Sequence, residues 1–243
     1  MLCRPLGGSM ALWGPFAERL ATRLRVIAFD PRGVGASSDL PPGHSTRAMA
    51  ADALGLLDAL GVGRAHVFGL SLGGMVATWL AIDAPRRVDR LVLASTLPGG
   101  TAVSRHGLPR AWSFARCFAQ PGPDAEACLL RRILSPEFRL ARPERVAELE
   151  RAVRATPARR QNLLGLALAA ARHRPGPALA RVESETLLLF GERDPIARSA
   201  ARKGLVEGLP RSQLATVAGA GHDVSLERPE EVADEVLGFL LQK

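Results

Sequence analysis

Short apolar runs alternate along the chain with longer stretches whose apolar residues recur every three to four positions. The runs at 25–30, 65–70, 91–94, 186–190 and 213–217 are rich in branched side chains and read as buried strands. Helical spacing predicts helices from Trp13-Gly14-Pro15-Phe16 to about Arg23, over 46–60, 72–84 and 196–207, and from Pro229 to about Leu241. Pro15 suits a first helical turn, and Gly61 ends the second helix. Strand and helix in regular alternation imply right-handed βαβ units and a mostly parallel α/β sheet covered on both faces.

From about 101 to 182 that alternation stops. Helical windows near 109–119, 124–134, 143–154 and 158–172 are separated by Pro121-Gly122-Pro123, Pro136, Pro157 and Pro175-Gly176-Pro177. This predicts an α/β core from 1–98 and 183–243, with an all-helical cap inserted over 99–182.

Composition changes the picture in two places. The net charge of +8 suggests a nucleic acid or anionic surface until its location is read. Residues 99–184 hold 15 Arg and 7 acidic residues, and the rest of the chain balances 17 basic with 17 acidic residues. Thirty of the 32 basic residues are Arg, without the interleaved aromatics of single-strand binders, so solvated helix faces account for them and nucleic acid is not an expected partner. Cys3, Cys117 and Cys128 have no Cys-x-x-Cys spacing and leave one unpaired, which predicts free thiols in a reducing, cytoplasmic setting. The five histidines lack zinc-ligand spacing, so no metal and no cofactor is expected. The longest apolar run, 163–171, is too short to cross a membrane.

The chemistry gathers around Val67-Phe68-Gly69-Leu70-Ser71-Leu72-Gly73-Gly74, a strand running into a glycine-flanked serine and then a helix. In this Gly-x-Ser-x-Gly arrangement the serine stands on a tight turn, and the flanking glycines let strand and helix backbones approach. The helix that follows directs unsatisfied N–H groups at negative charge forming beside Ser71. The strands 186–190 and 213–217 run into Gly191-Glu192-Arg193-Asp194-Pro195 and Ala218-Gly219-Ala220-Gly221-His222. Both loops fall at the C-terminal sheet edge, where ligand sites collect and where Ser71 also lies. Taken singly, Asp194 before Pro195 also reads as a helix N-cap and His222 as a loop residue; Asp223 and Glu192 compete for the role of acid. His44 and His66 carry no assigned chemistry.

Together these segments, with Glu227-Arg228-Pro229-Glu230, Arg32-Gly33-Val34-Gly35-Ala36-Ser37 and Pro85-Arg86-Arg87-Val88, resemble the α/β-hydrolase fold family over essentially the whole chain, and more particularly its cap-bearing esterase and enol-lactone hydrolase branch. The resemblance implies a serine hydrolase acting on a small ester or lactone, anionic ones included. Ser71 would be the nucleophile, His222 its base and Asp194 the orienting acid, with Leu6 and Leu72 donating backbone N–H groups to the oxyanion. The same triad serves C–C hydrolases and cofactor-free perhydrolases. A serine at position 71 argues against the carboxylate-nucleophile dehalogenases and epoxide hydrolases.

Two departures from the family pattern stand out. Arg4-Pro5 occupies the place of a usual His-Gly pair, and the chain starts at Met1-Leu2-Cys3 where members first build a β-hairpin and a third strand beside the elbow strand. The expectation is that these N-terminal strands are missing, as from a shortened reading frame, leaving the central strand uncovered. The runner-up reading is a non-catalytic hydrolase-like ligand binder or an inactive truncated hydrolase.

Overall fold

The computed structural model describes residues 1–99, 114–120, 122–156 and 158–242. Among the described residues the sheet has five strands, β1 (Leu2–Cys3), β2 (Ala65–Leu70), β3 (Val88–Ala94), β4 (Glu185–Gly191) and β5 (Ser212–Val217), all parallel and in the spatial order of the chain. β2, β3 and β4 are central and lose water on both faces at their C-terminal halves. This explains continuous apolar runs in place of alternation. β5 forms an edge and leaves Leu214 half exposed.

The uncovered-strand expectation needs correction. Leu2 pairs with Phe68 and Cys3 with Gly69, while the Phe68 N–H donates to the Met1 carbonyl and the Met1 ammonium to the His66 carbonyl. The opening residues thus do cover the elbow strand. Burial holds the Met1 ammonium below its ordinary value. The strand predicted over 25–30 does not form. Its partner β1 is two residues long, so the contact shrinks to one bridge, Leu2 with Ala28, and one bond from the Leu2 N–H to the Ile27 carbonyl.

Helices α1 (Gly14–Ala21), α2 (Thr46–Ala59) and α3 (Leu72–Asp83) fall where the periodicity predicts. Pro15 lies in the first turn of α1, and the Ser45 hydroxyl caps α2 by accepting from the Ala48 N–H. α3 is buried nearly all round, as its apolar composition requires. On one face of the sheet Val67, Leu91, Leu93, Leu188 and Phe190 pack with α2 and α3; on the other Phe68, Leu70, Val92, Leu187 and Leu189 pack with α1 and the C-terminal helix.

Between β3 and β4 the described residues form only helices: 114–118, α4 (Gly122–Ile133), α5 (Pro136–Ala141), α6 (Pro143–Ala155), α7 (Arg160–Ala171) and a 3₁₀ turn at Gly176–Arg181. The window near 109–119 lies outside the described residues up to 113. α5 is an addition to the sequence reading. Pro136, read as a separator, sits in its first turn behind Ser135, whose hydroxyl accepts from the Phe138 N–H at 3.1 Å. Leu130, Leu134, Phe138, Val146, Leu149 and Val153 form a small apolar core of their own, joined to the α/β body through Leu12 and Leu226.

The free-thiol expectation is corrected for two of the three cysteines. Cys117 and Cys128 form a disulfide, and Cys3 alone is free and buried, its thiol pushed up to about 11 by burial. A three-residue link between two helices brings the pair together, a juxtaposition no Cys-x-x-Cys pattern announces. The argument for a reducing compartment loses that support. After β4 come α8 (Ser199–Gly208), α9 (Val224–Glu227) and α10 (Pro229–Leu240). No helix among the described residues is long and apolar enough to cross a membrane.

Candidate functional site

Ser71 occupies the turn between β2 and α3 with φ 55° and ψ −115°, a left-handed conformation that costs a non-glycine residue about 1–3 kcal/mol. The surroundings hold it there. Its N–H donates to the Ala94 carbonyl at 2.9 Å, and its carbonyl accepts from Thr96 Oγ1 at 2.7 Å and from the Gly74 N–H at 3.0 Å. The two glycines of the motif are required by contact. A Cβ on Gly69 would overlap the Gly73 carbonyl group, and one on Gly73 would overlap the Cys3 carbonyl and lie 2.7 Å from that of Arg4. The Gly73 contact sets α3 directly against β1.

Asp194 and His222 are carried by the loops after β4 and β5, which pack back to back: a Cβ on Gly191 would lie 2.8 Å from the Ala220 carbonyl carbon. Asp194 Oδ1 accepts from the Ile196 and Ala197 N–H groups at 2.7 and 2.9 Å. These bonds close a tight turn after Asp194, but no helix starts there: α8 begins at Ser199 with Arg198 at its N-cap, so the helix N-cap reading of Asp194 is corrected. His222 Nδ1 lies 2.9 and 3.0 Å from the two Asp194 oxygens, and His222 Nε2 lies 2.8 Å from Ser71 Oγ. Burial pulls the imidazole pKa down, but the Asp194 carboxylate outweighs it and Asp223 adds to the effect, so His222 sits above its ordinary value. For Asp194, burial works to raise the pKa and the imidazole, with the two N–H donors, holds it below the usual range. Asp194 is thus an anion that keeps Nδ1 protonated and leaves Nε2 to accept from the serine.

The structure brings together Ser71, Asp194 and His222 and separates the competitors. Asp223 Oδ2 accepts from Arg4 at 3.0 Å, and Glu192 Oε2 accepts from the Gly219 N–H at 2.9 Å. His44 pairs with Asp52, His66 opens β2, and His173 Nδ1 contacts Thr46 Oγ1 at 3.0 Å; His106 lies outside the described residues. Leu72 begins α3, and Leu6 lies in the loop after β1. Among the described residues neither of their N–H groups has an acceptor within the protein. Also among these residues, no group of three or more His, Cys, Asp or Glu is placed to hold a metal.

Three supports escaped the sequence. Arg4, at the place of the family's histidine, is buried with its guanidinium 4.4 Å above the Trp13 ring and joined to Asp223, so it ties the Leu6 loop to the residue after His222. Glu227 accepts from Ser135 N–H and Oγ at 2.7 and 2.6 Å and from the Gly221 N–H at 3.1 Å, while the His222 N–H donates to the Ile133 carbonyl at 2.7 Å. The end of α4 thereby grips the histidine loop. Only the local Glu-Arg-Pro-Glu motif hinted at Glu227.

Glu126 of α4 is the third. It is buried against Gly7, with its Cδ 3.6 Å from the position of a Gly7 Cβ, and Oε1 accepts from the Ala158 N–H at 2.6 Å while Oε2 has no partner. Burial pushes the carboxyl up to about 7 from an ordinary 4.5, the Ala158 N–H offsetting only part. The folded chain thus keeps a proton that the unfolded chain releases, so the Glu126 contribution to stability is full below about pH 4.5 and is lost as pH rises to about 7. Glu126→Gln, which keeps the acceptor for Ala158, is expected to stabilise the fold by about 1–2 kcal/mol at pH 8 and to flatten this decline. Urea titrations at pH 5 and pH 8 check it; an unchanged pH dependence would remove Glu126 as its source.

These features define an α/β hydrolase, and the chain belongs to that family: the alpha/beta hydrolase fold model matches residues 1–229. Over 249 residues it is 30% identical to a protein of Pseudomonas savastanoi pv. phaseolicola named "Putative carbamate hydrolase RutD", covering 99% of this chain and 92% of that one. A solved structure of a hydrolase from Pseudomonas aeruginosa PA01 is 32% identical with a TM-score of 0.83, covering 99% and 89% of the two chains. The enol-lactonase from Burkholderia xenovorans LB400 shares the fold at a TM-score of 0.86 and 24% identity, over 99% and 90%.

Proposed function

We propose that the chain is a serine hydrolase that cleaves the ester or lactone bond of a small substrate through an acyl-enzyme on Ser71. One observation carries the reading: the continuous hydrogen-bonded line from Ser71 Oγ through His222 to Asp194. His222 Nε2 takes the serine proton as Oγ bonds to the acyl carbon. The oxyanion so formed accepts from the Leu6 and Leu72 N–H groups, the second aided by the positive end of α3. Collapse breaks the bond to the leaving oxygen, which receives the proton from His222, and water repeats the cycle to free the acid.

Residues 99–182 act as a cap, gripping the histidine loop through Ile133 and Ser135. The names of the relatives extend the substrate class to be tried: a carbamate, like an enol lactone, offers a carbonyl bonded to a heteroatom leaving group. The test is labelling with a fluorophosphonate, followed by a panel of p-nitrophenyl esters, enol lactones and carbamates. Stoichiometric labelling is expected. A folded protein that takes no label would overturn the assignment in favour of a non-catalytic ligand binder.

The base must be neutral to act, and its raised pKa places the acid limb of kcat/KM above pH 6.5, with activity rising as pH increases. Asp194→Asn removes the charge that raises it. That variant is expected to move the limb downward and to lower kcat by roughly 10⁴-fold; a pH profile with an unmoved limb would dissociate Asp194 from the base.

A further inference from the structure

The surplus of positive charge has a definite address. A cleft of about 1200 Å³ opens between α4, α5 and α6 on one side and, on the other, the segment from Glu192 to Arg202, which comprises the loop after β4 and the first turn of α8. Its described lining holds seven arginines and three acidic residues, a net of four positive charges. Three of the arginines, Arg131, Arg154 and Arg193, are paired with Glu150, Asp124 and Glu137. Four others have no carboxylate partner. Arg139 and Arg198 are exposed, and their guanidinium groups bond to no described group; the Arg132 guanidinium reaches only the Cys117 sulfur at 3.1 Å; that of Arg202 donates to the Ala197 and Gly191 carbonyls at 3.1 and 2.6 Å. Of the acids, Asp194 is buried against His222, and Glu192 is engaged by the Gly219 N–H.

Solvated helix faces explain arginines scattered with acids at helical spacing. They do not explain four unneutralised guanidinium groups drawn from two separate segments onto one concave surface, where their mutual repulsion opposes folding. A single carboxylate would satisfy one fork. Several forks without acid partners call for a ligand with several charges and several terminal oxygens in tetrahedral array, which guanidinium groups chelate in bidentate fashion. We propose that this cleft is a binding site for a diphosphate group. Its described lining touches the candidate triad only through Asp194 and includes neither Ser71 nor His222, so the site stands independently of the nucleophile assignment. Arg202 brackets the Asp194 loop by bonding carbonyls on both sides of it and stacks 5.0 Å over Phe190, so the ligand rests against a held surface.

The experiment is isothermal titration of the full chain with inorganic pyrophosphate at low ionic strength, in the Ser71→Ala background as well as the native one. Saturable one-site binding is expected in both, weakening as salt is added. Arg198→Ala and Arg132→Ala should each weaken it about tenfold, the loss of one charge-assisted contact. Both side chains are exposed, so melting curves should match the parent; Arg64→Ala, whose guanidinium pairs with Asp89 away from the cleft, should bind as the parent does. Adenosine diphosphate binding at least as tightly as pyrophosphate assigns the group to an organic ester, and weaker binding to the free anion; either supports the site. No saturable binding at millimolar pyrophosphate, equal binding by citrate, or indifference to both cleft variants would overturn it. Loss of fluorophosphonate labelling with retained pyrophosphate binding would defeat the hydrolase reading and leave this one intact.

Discussion

Ser71→Ala is expected to abolish fluorophosphonate labelling and to lower kcat on the best ester of the panel by roughly 10⁴- to 10⁶-fold while leaving the fold intact. The size follows from the cooperation of the site. His222 lies 2.8 Å from Ser71 Oγ and its other nitrogen is committed to Asp194, so without the hydroxyl the base has nothing to activate but water. The proposed Leu6 and Leu72 donors are untouched by the change, so the residual rate is expected to stay above that of the uncatalysed reaction. Alanine at 71 must still adopt φ near 55°, a strain the turn already bears with serine, so a melting temperature close to the parent's is expected. Undiminished turnover in a folded Ser71→Ala protein would move the nucleophile elsewhere.

Arg4→Ala is expected to be the most destabilising of the changes considered, by about 3–5 kcal/mol, because it strands a buried carboxylate. Arg4 and Asp223 side chains are 1% and 0% exposed, so water cannot replace either partner. Asp223 Oδ1 keeps the Ser225 hydroxyl and the Leu226 N–H, but Oδ2 loses its donor. For a chain of this length the melting temperature should fall by about 10 °C. The native pair is itself imperfect: Arg4 Nε and Nη1 are buried without partners, and burial holds the guanidinium below its usual pKa. Arg4→Met combined with Asp223→Asn should therefore recover much of the loss, since the asparagine still caps α9 and no charge is left buried. Denaturant titrations of the two single variants and the double variant check this. Additive losses would show that the two side chains do not act as a pair.

Much of the candidate site was legible in the sequence because parallel strands place their C-terminal loops on one edge. The runs ending at Leu70, Phe190 and Val217 located Ser71, Asp194 and His222 without knowledge of any contact between them. The glycines at 69, 73 and 191 were visible as residues, but only packing showed what each excludes: the Gly73, Cys3 and Ala220 backbones respectively. Helix limits in the core agreed to within a few residues, since amphipathic spacing and caps such as Ser45 act locally. Pro136 misled because a proline stops one helix and suits the first turn of the next with equal ease.

The misses have a common origin. Whether Arg25–Asp30 becomes a strand depends on the length of its neighbour, and two residues of β1 can offer only a bridge. The Cys117–Cys128 bond, the Arg4–Asp223 pair and the hold of Glu227 on Ser135 and Gly221 join positions whose meeting depends on how helices dock. Glu126 looked like any helix-surface acid and is buried because Gly7 leaves room for it.

The sequence by itself determined the order of the core strands and helices that do form, the helical stretch between β3 and β4, and which serine, histidine and candidate acids stand at the sheet edge, because propensity, periodicity and turn chemistry are properties of neighbouring residues. Only the tertiary structure decided that Asp194 rather than Asp223 or Glu192 faces His222, that Arg4 pairs with Asp223, and that the unpaired arginines of the cap and of the segment after β4 face one cleft. Those outcomes depend on distances between residues far apart in the chain, which are set when buried charges find partners and apolar faces close on one another.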